Sequence, residues 1–370
     1  MADFIAVDSL PFHCDRMSSV TTVNLLTLAT SLPYAAQINS FTDSTPELSF
    51  VQYEDEFSSI LGLNPSWEKI ANRSFKAFHE AGVYDQKTGQ LFMTSNYEGP
   101  SNPIVVTVLN MTDYSVTSEP YEGLTAGNGG ASYLAPGADG PPQVLFCDQG
   151  DNSSASSLSL LDPISKKFTP ILNNYYGSAY NSLNDVKQHY STRDVWFTDA
   201  SYGYLQNFRP KPSSPNQVYR FEPKTGRVSV VADGFDQSNG IEFSPDFETI
   251  YIADTGAQEI ATYDASSPAT IFAFDVVKKK YLRNRRVFAY IHKGVPDGIH
   301  TDTAGNVYAG AGDGVSVWNP DGVLIGKFKV DGGAANFAFV PGGIIIFNEY
   351  RLFLAKIAAV GREVARDFGI

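Results

Sequence analysis

From about residue 78 the chain runs in short stretches of alternating apolar and polar residues, broken every few positions by Gly, Asp, Asn or Pro. Alternation with a period of two marks strands that bury one face. Val83–Asn96 (VYDQKTGQLFMTSN) reads as strand, Lys-Thr-Gly turn, strand, and Val218–Asp233 (VYRFEPKTGRVSVVAD) repeats the plan. Asn306–Phe328 gives three strands joined by Gly-Asp-Gly and Asn-Pro-Asp-Gly. Gly and Asp tolerate the positive φ of tight hairpins, so these are turns with a mechanism. No amphipathic helix of ordinary length is expected beyond residue 80, whereas segment 50–72 is expected to carry a short one.

A longer period overlies the short one. Polar elements that each precede a strand occur at His79-Glu80-Ala81, Asn128-Gly129-Gly130, Asn184-Asp185, Asn239-Gly240, Asp297-Gly298 and Ala335-Asn336. Counted on Glu80, Asn128, Asn184, Asn239, Asp297 and Asn336, the steps are 48, 56, 55, 58 and 39 residues. Propeller blades take about 40–50 residues before loop insertions. The expectation is an all-β, six-bladed β-propeller over residues 41–370, with residues 1–40 as a separate, signal-like N-terminal segment. Each blade's innermost strand would start at one end of the central channel and aim its polar residue at the axis. Taken singly, Asn-Gly and Asp-Gly read equally well as turns. Their regular recurrence favours the channel.

Composition narrows the function. Forty Asp and Glu against 27 Lys and Arg give a formal charge of −13, which argues against nucleic acid or an anionic membrane as partner. Cys14 and Cys147 are the only cysteines, too few for a disulfide framework or a zinc cluster. No apolar run is long enough to span a bilayer. Val20–Ala36 has an apolar centre and a small-residue end, like a signal sequence that begins at Met17. With Asn-x-Ser/Thr sites at Asn72, Asn110 and Asn152, the reading favours a secreted glycoprotein.

The motifs resemble those of the senescence-marker-protein/gluconolactonase family, which includes regucalcin and bacterial gluconolactonases. The resemblance runs from Phe78 to Phe339 and is carried by Phe78-His79-Glu80-Ala81, Asn181-Ser182-Leu183-Asn184-Asp185 with Trp196-Phe197-Thr198-Asp199, Asn239-Gly240-Ile241 with Ser244-Pro245-Asp246, and Pro296-Asp297-Gly298-Ile299. Tyr202-Gly203-Tyr204-Leu205-Gln206-Asn207-Phe208-Arg209-Pro210 and Gly312-Asp313-Gly314-Val315 look like its fungal lactonohydrolase branch, which acts on aldonolactones and D-pantonolactone. Ser238 departs from the family's usual Pro before Asn-Gly. The resemblance implies one divalent ion, usually calcium, held by Glu80, Asn184, Asn239 and Asp297, and a small lactone as the partner.

The residue types agree with that chemistry. Calcium takes about 6–8 oxygen ligands and accepts carboxylates, amide carbonyls and water together. The ion would polarise the lactone carbonyl, and Asp297 is the expected general base. A carboxylate held on a dication is a weakened base, so His300 and His79 enter as candidates for moving protons. Strand alternation would aim His79 and Glu80 to opposite faces. Asn128, Asn336, Tyr202 and Arg209 are candidate substrate contacts, and Asp199 a candidate for a second, structural ion. Two other classes compete: a strictosidine-synthase-like propeller, which lacks the metal quartet, and a non-enzymatic calcium-binding propeller. A lactone or cyclic anhydride of a fungal secondary-metabolite pathway is the alternative substrate.

Overall fold

The computed structural model describes residues 20–30, 47–260 and 262–369. Six sheets, each with an antiparallel four-stranded body, form a ring in which neighbouring sheets touch near their inner strands and the sixth returns to the first. This is the six-bladed propeller expected from the repeat. The innermost strands are Glu80–Asp85, Gly127–Tyr133, Leu183–Gln188, Ser238–Phe243, Ile299–Thr301 and Asn336–Val340. The six polar elements therefore stand at or within two residues of each strand's start.

Ring closure uses the chain's earlier segments. Blade 6 has three strands of its own, and Ser66–Asn72 pairs with Arg351–Lys356 as the fourth. Blade 5 is extended outward: Leu48–Gln52 pairs with Leu324–Val330, and Val20–Thr22 runs parallel to Phe50–Gln52. The first residues of the signal-like stretch thus belong to a propeller sheet. Residues 31–36 of it, together with Met17 and Cys14, lie outside the described residues. The short helix expected in segment 50–72 is Phe57–Leu61. It buries Phe57, which meets Phe328 edge-on at 5.6 Å, as Phe50 does. Full burial of such a ring stabilises the fold by roughly 1.5–3 kcal/mol.

The hairpins form where Gly permits them. Gly89 and Gly226, in the two Lys-Thr-Gly turns, have φ of 65° and 75°. The glycines beside the channel have another cause. Gly129 and Gly240 lie within strands and Gly298 in the bend just before one, and none of the three has a φ in the left-handed region. A Cβ on Gly240 would collide with the Asp297 carbonyl oxygen, one on Gly298 with the Asn336 side chain, and one on Gly129 with Asp185 and the Asn184 carbonyl. Each lies against the next blade's polar residue, so the inner strands approach more closely than any side chain allows.

The C-terminal helix Arg362–Phe368 packs near the innermost strand of blade 6. Among the described residues no helix is long and apolar enough to cross a membrane.

Candidate active site at the channel mouth

In four blades the inner strand loses register just where its polar residue sits. The ladder shifts between Ala81 and Val83, Gly127 and Gly130, Leu183 and Val186, and Ser238 and Ile241. A bulge bends the strand and re-aims the side chain there. Glu80, Asn128, Asn184 and Asn239 consequently converge, and Asp297 joins them from the loop before Ile299. They line a cleft of about 230 Å³ with His79, Lys76 and Tyr202. Ala81 (φ 70°) and Gly82 (φ 82°) break the alternation that would have separated His79 from Glu80. Both side chains reach the cleft, which corrects the expectation of opposite faces.

The contacts at the mouth leave oxygen acceptors bare. Glu80, 3% exposed, accepts from Asn336 Nδ2 (2.8 Å) and from the Ala81 N–H (3.3 Å). Asn239 Nδ2 donates to the Tyr202 hydroxyl (3.2 Å), and that hydroxyl also bonds Thr255 Oγ1. The Oδ1 atoms of Asn128 and Asn184 are buried without a partner. A buried acceptor left unmade costs about 1–3 kcal/mol. Two carboxylates and two bare amide oxygens in one cleft are the donor set of a hard cation. Among the described residues no group of three or more His, Cys, Asp or Glu side chains is placed to hold a metal ion, so the oxygen donors here combine two carboxylates with amides.

The electrostatics agree. Burial, with the charge of Asp297 next, pushes Glu80 well above the usual carboxylate range. Burial also raises Asp297, against the pull of His79. Burial alone would depress His79, but Glu349, Glu80 and Asp297 outweigh it and lift the imidazole to about 9. His79 Nδ1 lies 3.0 Å from Glu349 Oε1, which also accepts from Asn96 Nδ2 at 3.0 Å.

Glu349 is the residue sequence reasoning missed as part of the site. It lies in a divergent C-terminal stretch with no repeat motif around it, and only the fold brings it back to His79. Its φ of 53° in a non-glycine residue is a local signature visible only in the structure. The blade 4 hairpin Gln258–Glu259 and Thr262–Tyr263 was likewise unforeseen; it lends Gln258 and Ile260 to the cleft wall.

Three candidates are not brought to the mouth. His300 faces a second cavity of about 30 Å³ farther along the channel, with Ser132, Glu242, Arg362 and Asp367. It stands apart from the cleft because Ile299–Thr301 is regular strand and carries it three residues past Asp297. Arg209, 7% exposed, spends its guanidinium on the carbonyls of Asn181, Asp151, Ser154 and Tyr180 at 2.7–2.8 Å. It pins loops and does not face the cleft. Asn336 lies behind Glu80, held to its carboxylate, and is absent from the cleft lining.

Asp199 also finds another role. Its carboxylate accepts from the N–H groups of Asn181 (3.0 Å) and Ser182 (2.7 Å), and burial raises it to about 7. Asp148 does the same for Thr125 and Ala126, and Asp254 for Asp236 and Gln237. In blades 2, 3 and 4 this carboxylate, at the end of the second strand, ties down the turn that enters the blade. Backbone N–H groups occupy it, in place of the second ion expected there.

At the far end of the channel buried charges of opposite sign stand together, although Nε and Nη1 of Arg362 and Nη2 of Arg366 make no hydrogen bond. Arg362 pairs with Glu242, Ser132 Oγ donates to Asp367 Oδ2 at 2.8 Å, and the carboxylates of Glu363, Asp185 and Glu242 overcome burial to hold Lys187 charged.

Fold and site together define a six-bladed propeller with an oxygen-rich cleft at one end of its channel. The chain belongs to the SMP-30/gluconolactonase/LRE-like family, whose model matches residues 143–344. It is similar to the lactonohydrolase oryL of Aspergillus oryzae, 30% identical over 307 residues that cover 76% of this chain and 67% of that one. It also resembles the gluconolactonase of Zymomonas mobilis, 29% identical over 59% of this chain and 60% of that one. Among solved structures, a gluconolactonase from Xanthomonas campestris aligns with a TM-score of 0.68 at 23% identity, covering 85% of this chain and 96% of the other.

Proposed function

We propose that this protein hydrolyses a small lactone to its hydroxy acid in the cleft at the channel mouth. The observation that carries the reading is the buried, unpartnered amide oxygen of Asn184 in one cleft with the neighbouring carboxylates of Glu80 and Asp297, while a second bare amide oxygen, on Asn128, is left for the substrate. The lactone class follows the names of its relatives.

Glu80, Asn184, Asn239 and Asp297 would hold a calcium ion, which when bound supplies positive charge to polarise the ring carbonyl. Asp297 accepts the proton of the attacking water. Burial favours proton uptake by this carboxylate, which offsets part of the basicity that a bound dication would remove. His79 is tied through Nδ1 to Glu349, whose charge favours the imidazolium, and this suits it to donate a proton to the leaving ring oxygen. Asn128 and Tyr202 line the cleft where ring hydroxyls would lie, which favours a hydroxylated five-membered ring of the aldonolactone or pantolactone type. Exposed Asn72 and Asn152 are compatible with a secreted glycoprotein.

The test is a pH-stat screen of small lactones with calcium and after exhaustive chelation. Opening of a hydroxylated lactone only with calcium, and its loss in Asp297→Asn, is expected. Calcium uptake with no lactone opened would leave a binding protein, and the enzymatic reading would fall.

A further inference from the structure

We infer that His300 and Asn336 are positioning residues that fix Glu80 from behind, so that the cleft's cation affinity is set partly from inside the channel. The inference rests on the proposed role of Glu80 as a cation ligand.

Three contacts choose the orientation of the Asn336 amide. Its Nδ2 donates to Glu80 Oε2 at 2.8 Å, while its Oδ1 accepts the Phe337 N–H at 2.7 Å and faces His300 Nε2 at 3.2 Å. Because Oδ1 can only accept, His300 must carry its proton on Nε2. Turning the amide over would set Nδ2 against the Phe337 N–H and Oδ1 against a carboxylate. His300 Nε2–H adds a second donor to Oδ1 and so weights the observed orientation, which Asn336 passes to Glu80. The packing supports the chain. His300 is 8% exposed and meets Phe337 edge-on at 4.8 Å, Asn336 is 2% exposed, and Glu80 is 3% exposed. A Cβ on Gly298 would strike the Asn336 amide, so the blade 5 strand fills the space into which Asn336 could otherwise swing.

Loss of such a supporting partner lowers metal affinity by about 10–100-fold. The experiment is calorimetric titration of chelator-stripped protein with calcium chloride. His300→Ala and Asn336→Ala are each expected to weaken calcium binding about tenfold or more. The double variant is expected to bind no worse than Asn336→Ala alone, because both act along one chain. His300→Gln, whose Nε2–H reaches about the same point, is expected to stay within about twofold of the wild type. Should His300→Ala not fold, His300→Asn, one methylene too short, replaces it with the same expected weakening. Wild-type affinity in His300→Ala, independent effects in the double variant, or a Gln variant no better than Ala would overturn the inference. Absence of calcium uptake by the wild type would instead overturn the site itself.

Discussion

The two ends of the channel are built from the same inner strands, and both bury ionisable groups, yet they are finished differently. At the far end Glu242 has Arg362, and Lys187 lies among Glu363, Asp185 and Glu242. At the mouth Glu80 and Asp297 neighbour each other, and the oxygens of Asn128 and Asn184 have nothing to accept. Buried charges persist when paired, and unpaired acceptors are expensive to keep. The far end sets opposite charges together, although Nε and Nη1 of Arg362 and Nη2 of Arg366 keep no hydrogen-bond partner, whereas the mouth gathers like charges and bare acceptors that a positive, oxygen-seeking ligand would complete. Opposite charges brought together serve the fold, and gathered carboxylates with bare oxygens mark the candidate site.

The comparison can be broken from either side. At the mouth, Asp297→Asn keeps the size of the side chain and removes the base and one negative charge. Lactone turnover is expected to fall on the order of 10²–10⁴-fold with the melting temperature little lowered; undiminished turnover would move the base elsewhere. At the far end, Arg362→Met removes the cation hydrogen-bonded to buried Glu242 and leaves it only the charge of Lys187, and a loss of up to about 3–5 kcal/mol in urea unfolding is expected. A stability unchanged by that substitution would mean the far end is not the charge-paired region described.

Smaller effects sharpen the contrast. Calcium at 100 times its dissociation constant should stabilise the wild type by about 2.7 kcal/mol, read as a rise in melting temperature reversed by chelator. Arg362→Met should show the same calcium increment from its lower starting point. The least effect concerns acid. Burial, with the charge of Lys187 next, holds His300 down at about 3, below its ordinary value of about 6.5. Between those values the unfolded chain takes up the proton and the folded one does not. The stability linked to this group is therefore full above pH 6.5 and lost as pH falls toward 3. The wild type's advantage over His300→Gln in melting temperature should shrink across that window. A gap that widens on acidification would contradict the sign.

Much of this was legible in the sequence, for a physical reason. Six inner strands face one axis, so each needs a polar residue at its start, and close approach of the strands demands Gly beside three of them. Asn128-Gly129, Asn239-Gly240 and Asp297-Gly298 record both demands in a spacing that local turns would not keep. The bulges were hidden, because register is a property of two strands and Ala81 carries no mark of its φ of 70°. That is why His79 was expected to point away from Glu80. His300 was expected at the mouth because it follows Asp297 so closely, but regular strand carries it along the channel. Arg209 sits in a motif that resembles the lactonohydrolases, but its partners are backbone carbonyls, which have no sequence signature. Glu349 reaches His79 across 270 positions, a contact that only the closed ring creates.

The central claim is that the mouth is a cation site built from Glu80, Asn184, Asn239 and Asp297. Its most direct test is calorimetric titration of calcium chloride into chelator-treated wild type and into Glu80→Gln/Asp297→Asn. One ion bound per wild-type chain, with the heat abolished in the double variant, is the predicted result. No binding by the wild type, or equal binding by the double variant, would contradict it.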